Sequence, residues 1–135
     1  MTRDLETNLD GILRMGFGLV RCLDGEPDAG VAMIRAERDR LLEVGHQHHL
    51  PRCELYLATA LASCRDPAAV VALDRALEGV LRPRVVHTDT AVLLEQTAAH
   101  LADMGMAPAA DRARRAAADT WLRLGNQERA RALTD

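Results

Sequence analysis

A chain of 135 residues that is 48% hydrophobic, with Phe17, Tyr56 and Trp121 as its only aromatics, has material for one domain around an aliphatic core. Its seventeen basic residues are all arginines, and twenty acids bring the formal charge to -3, which argues against sequence-independent binding of nucleic acid, since that needs a concentrated basic face. Abundant alanine and leucine favour helices over strands, and no apolar run approaches the roughly 18 residues of a membrane span.

The apolar stripe Leu5, Leu9, Ile12, Leu13, Phe17 and Val20 predicts a first helix from about Asp4 to Leu23, ended by Gly25. Pro27 opens a second that Gly45 stops after Val44, residues 46–50 turn the chain, and a third helix runs from Pro51 to Cys64. Asp66 is the expected N-cap of a fourth, with Pro67 at its first position and Val70, Val71, Leu73, Leu77 and Leu81 carrying it to about Arg82. Thr88 or Asp89 caps a fifth that ends at Gly105, Pro108 opens a sixth through Leu124, and Asn126 to Leu133 makes a short seventh.

Pro27, Pro67 and Pro108 lie 40 and 41 residues apart, and alanines follow each at matching offsets: Ala29, Ala32, Ala36; Ala69, Ala72, Ala76; Ala110, Ala113, Ala117. Those offsets share one helical face. The chain therefore reads as one helical hairpin written three times, in units 4–45, 49–83 and 88–125, with a terminal helix at 126–134. The second helix of every unit is expected to turn its alanines inward so that backbones approach closely. The first helices agree in part: Leu13, Cys53 and Leu94, then Phe17, Leu57 and Ala98, then Val20, Ala60 and Leu101 occupy matching places and are expected to fill the core.

This pattern resembles the tetratricopeptide-repeat family, whose hairpins carry small residues seven apart in their second helix, as Ala29 with Ala36, Ala69 with Ala76 and Ala110 with Ala117 stand here. The segment from Trp121 to Gly125 is similar to the end of a repeat helix in that family. The resemblance implies an all-α, tetratricopeptide-like α-solenoid of three antiparallel helix pairs plus a short C-terminal helix. The repeat is longer than the family's usual ~34 residues, and Phe17 and Leu57 stand where its first helix has a small residue. Longer repeats of this kind resemble the sensor regions of bacterial signal-transduction ATPases and of LuxR-type and SARP-type transcription regulators. The resemblance implies a protein or peptide partner in bacterial regulation, held on a groove that includes Arg14, Arg21, Glu54, Leu61 and Glu95. A basic clamp for a C-terminal carboxylate is missing, since Glu54, Ala58 and Ala62 hold the equivalent positions.

Two other readings stand beside it: a small-molecule sensor with a ligand among Met15, Leu55, Tyr56 and Leu61, and a structural unit that self-associates as a homodimer. His46, His48, His49 and Cys53 have the donor chemistry for zinc or copper, yet no second ligand pair has zinc-finger spacing. His87 with Asp89 and His100 with Asp103 have base-and-orienter spacing, but no nucleophile elbow or phosphate loop accompanies them, so neither an enzyme nor a cofactor is expected. Cys22, Cys53 and Cys64 lack CxxC spacing and read as small core hydrophobes; with no secretion signal discernible, the expected location is the cytoplasm.

Overall fold

A computed structural model describes residues 2–45, 47–83 and 86–134, with side chains from Gly11 onward except that of Gln47. The described residues are all-helical: α1 (Thr2–Leu23), α2 (Pro27–Val44), a 3-10 turn (Gln47–His49), α3 (Leu50–Ser63), α4 (Ala69–Leu77), α5 (Thr88–Asp103), α6 (Ala107–Arg123) and α7 (Gln127–Thr134). Prolines stand in the first turn of α2, α3 and α6, where a missing N–H leaves no gap in the ladder.

One turn recurs four times. After α1, α3, α5 and α6 the chain passes through a left-handed residue, Gly25 (φ 91°), Arg65 (φ 60°), Gly105 (φ 76°) and Gly125 (φ 85°). At each, the following N–H reaches back to a carbonyl five residues earlier: Glu26 to Arg21 (2.9 Å), Asp66 to Leu61 (2.9 Å), Met106 to Leu101 (2.9 Å) and Asn126 to Trp121 (2.8 Å). The left-handed residue's own N–H bonds to the carbonyl three before it, which completes a Schellman motif. Glycine meets that conformation without a Cβ penalty at three of the four sites, and Arg65 meets it at a cost.

α3 is the centre of the molecule, packed against α1, α2, α4 and α5. Every residue from Cys53 to Ala62 is buried, so this helix has no solvent face, as expected of a helix surrounded by others. α5 packs on α3 and α6, and α6 in turn on α5 and α7 with a lighter contact to α4. The hydroxyls of Thr59 and Thr97 meet at 2.9 Å across α3 and α5, and each is also satisfied by the carbonyl four residues back, Leu55 and Leu93. These two buried hydroxyls therefore keep their partners.

Several local expectations are corrected. α4 covers Ala69–Leu77, not residues 67–82: Asp66 accepts the Ala68 N–H at 2.9 Å in a turn that precedes the helix, and tight turns through Gly79 follow it. A Cβ on Gly79 would lie 2.6 Å from the Pro51 ring, so this turn is pressed against the start of α3. Neither Thr88 nor Asp89 caps α5; both lie in its first turn, after His87.

The alanines of the first unit do not face inward. Ala29 is half-buried and Ala32 and Ala36 are exposed, whereas Ala69, Ala72, Ala76, Ala110, Ala113 and Ala117 are all buried. α2 buries Gly30, Ile34, Glu37 and Leu41 instead. These correspond to buried Ala69, Leu73, Ala76 and Val80 at a spacing of 39 residues, one less than the proline spacing, so α2 is rolled by one residue. A glycine pair sets the roll: a Cβ on Gly18 would lie 2.8 Å from the Gly30 carbonyl, and one on Gly30 would lie 2.3 Å from the Gly18 carbonyl. Two backbones meet where neither residue has a side chain.

Candidate functional site

α1 carries two apolar stripes. One, Met15, Leu19 and Cys22 with partly buried Ile12, faces the core. The other, Leu13, Phe17, Val20 and Leu23, is 56%, 62%, 52% and 57% exposed. The expectation that Leu13, Phe17 and Val20 fill the core is thereby corrected, although their counterparts Cys53, Leu57, Ala60, Leu94 and Leu101 are all buried. The positions that α3 and α5 bury stand open on α1. Gly16 lies within the open row, and a Cβ there would meet nothing within 4 Å, so the row has a shallow notch beside Phe17. Arg14 and Arg21 border it: Arg14 Nη1 donates to Glu37 Oε2 at 3.3 Å, and Arg21 lies 3.8 Å from Glu26.

Behind that border Glu37 is buried between α1 and α2 and is also paired with Arg40. Gly11 makes room for it, since a Cβ there would sit 2.5 Å from Glu37 Oε1. Asp89, on the first turn of α5, accepts from Arg52 Nε (3.1 Å) and from the Tyr56 hydroxyl (3.0 Å), which ties α5 to α3. Burial, with the Asp89 carboxylate next, pushes the Tyr56 phenol up to about 12. Asp89 is thus engaged as a structural acceptor on α3.

The five residues expected to form one groove are spread over separate surfaces. Arg14 and Arg21 lie on the α1 border just described. Glu54 is buried at the edge of a depression lined by Leu42, Pro51, Arg75 and Gly79, with Arg38 4.0 Å away and Oε2 lacking a hydrogen bond. Burial raises its carboxyl above the usual range, and Arg38 and Arg75 lower it in part. Leu61 floors a second depression against Val31, Ala32 and Ala36 of α2. Glu95 accepts Trp121 Nε1 at 2.8 Å and Arg129 Nε at 3.1 Å, while the Arg129 guanidinium stands 5.0 Å over the indole; this joins α5, α6 and α7.

Of the candidate metal ligands, His46 lies outside the described residues. The rings of His48 and His49 are 3.9 Å apart, whereas Cys53 is fully buried with its thiol directed at the Ile34 carbonyl (3.7 Å). Burial pushes that thiol up to about 12. Among the described residues no three side chains of ligand type come together. None of their helices is long and apolar enough to cross a membrane.

The exposed row on α1 was missed because its residues match the buried places of later units. The signal was nonetheless present: Ile12, Met15, Leu19 and Cys22 already supply one complete core stripe, so Leu13, Phe17, Val20 and Leu23 form a second. No family model, curated protein or solved structure matches this chain.

Proposed function

We propose that this chain is a non-catalytic, tetratricopeptide-like module, a solenoid of three antiparallel helix pairs plus a terminal helix, that binds a protein partner through the apolar row of α1. The solenoid reading is supported by the Schellman turns at Gly25, Arg65 and Gly105, spaced 40 residues apart, and by the reversed order of contacts between α1 and α2, in which Gly11 lies by Glu37 and Gly18 by Gly30. The observation that carries the binding role is the exposure of Leu13, Phe17 and Val20, with Leu23 beside them, where the counterparts Cys53, Leu57, Ala60, Leu94 and Leu101 are buried by helix packing in α3 and α5. A face built for helix packing fits an amphipathic helix of a partner, with apolar side chains at helical spacing. An apolar row of this length rimmed by arginines is the kind of surface that protein association covers. The resemblance to regulator sensor regions suggests that the partner belongs to a regulatory assembly.

The test is affinity capture from the source organism with the natural chain and with Leu13→Ser/Phe17→Ser. Both changed side chains are more than half exposed, so the fold, checked by circular dichroism, should persist. We expect a partner retained by the natural chain and lost, by tenfold or more, from the variant. Equal capture by both would remove α1 from the binding role.

A further inference from the structure

We propose that Cys22 and Cys64 are a redox-responsive pair, in which a hydroperoxide oxidises Cys64 and Cys22 then closes a disulfide tying the end of α1 to the end of α3. Cys22 lies in the last turn of α1, buried, with its sulfur 3.6 Å from the Pro27 carbonyl at the start of α2. Gly30 leaves it room, since a Cβ there would stand 2.5 Å from the Cys22 sulfur. Cys64 follows the last residue of α3 and is half-buried in the open depression that Pro27 and Val31 also line. The Cys64 side chain and the Val31 backbone are the neighbours that bear on the Cys22 thiol electrostatically. Two sulfurs from different helices thus share the same neighbours, and one borders solvent.

The third thiol serves as an internal contrast. Cys53 lies in α3, the helix that Cys64 follows, but is fully buried toward the Ile34 carbonyl. The exposure of Cys64 directs the oxidant to it. Burial, and then the Cys64 neighbour, pushes the Cys22 thiol up to about 11, so the more accessible Cys64 is the one that meets the oxidant first. In the first step the Cys64 sulfur takes an oxygen from the peroxide, giving a sulfenic acid and one water. In the second the Cys22 sulfur attacks the Cys64 sulfur; the S–S bond forms, the S–O bond breaks, and the Cys22 proton leaves with the hydroxide as a second water. Two thiols are oxidised and one peroxide is reduced.

The test treats the reduced full chain with a small excess of hydrogen peroxide, alkylates remaining thiols under denaturing conditions, and reads intact mass and tryptic peptides. We expect a monomer lighter by about 2 Da before alkylation, for two lost hydrogens, with residues 22–35 joined to 53–65. Fragment spectra should place the bridge on Cys64, a Cys53→Ala chain should behave alike, and a reductant should restore both thiols. In Cys64→Ser the same dose should leave Cys22 fully alkylatable. A bridge through Cys53, a sulfinic acid on Cys64 beside an unmodified Cys22, bridges only between chains, or no reaction at either thiol would each overturn the proposal.

Discussion

Glu54 and Gly30 show how single side chains govern this core, one by its charge and one by its absence. Glu54 sits in the otherwise continuous buried run of α3, with one carboxylate oxygen lacking a hydrogen bond and its carboxyl raised by burial. A raised folded-state value means that the fold favours the neutral acid more than the unfolded chain does. The stability it contributes is fully present below the ordinary carboxylate range and is lost as pH rises through the raised value. Glu54→Gln keeps the shape without the charge, so the variant should be more stable than the natural chain at pH 7. That advantage should vanish by about pH 4, which denaturant titrations at the two pH values would check. Gly30 has no slack: its added Cβ would strike backbone atoms of Gly18 and Cys22 at 2.3 and 2.9 Å, and backbone cannot swing aside as a long side chain can. Gly30→Ala should therefore cost about 2–3 kcal/mol by forcing α1 and α2 apart, read as a lower denaturant midpoint.

At the scale of elements, much of the fold was legible because prolines and glycines act locally. Pro27 and Gly45 bound α2 as expected, and Gly25, Gly105 and Gly125 close their turns through the left-handed conformation that glycine favours. The fourth such turn was hidden, since Arg65 occupies a glycine's place. Replacing it supplies a test: Arg65→Gly should stabilise the chain by about 0.5–1 kcal/mol, since the left-handed penalty disappears and the exposed contact from Arg65 to the Asp103 carbonyl is a small loss. A thermal midpoint unchanged or lowered would show that this contact outweighs the backbone term. The roll of α2 was not legible. Its three alanines share one face, but an alanine can sit equally well in a core or in water, so the proline spacing alone could not distinguish Ala32 and Ala36 outward from inward. The close approach of Gly18 and Gly30 decides it, and that is a property of two helices together. The candidate groove failed to converge for a related reason. Its five residues were placed by a regular repeat, whereas in the structure α3 is enclosed on all sides and Glu54 and Leu61 reach different depressions.

The whole molecule has an enclosed helix at its centre and an uncovered one at its edge. α3 packs against four helices, whereas α1 packs against α2 and α3 and leaves its second apolar stripe in solvent. The exposed row thus marks the surface where a further helical layer fits, and the proposed function assigns that layer to a partner protein. The most direct test places a photo-crosslinking amino acid at Phe17 and, as a control, at Leu122, which is 52% exposed on α6 away from the row. Illumination in cells of the source organism should give a discrete protein adduct from position 17 and none from position 122. No adduct at position 17, or the same adducts from both positions, would contradict the assignment of α1 as the binding face.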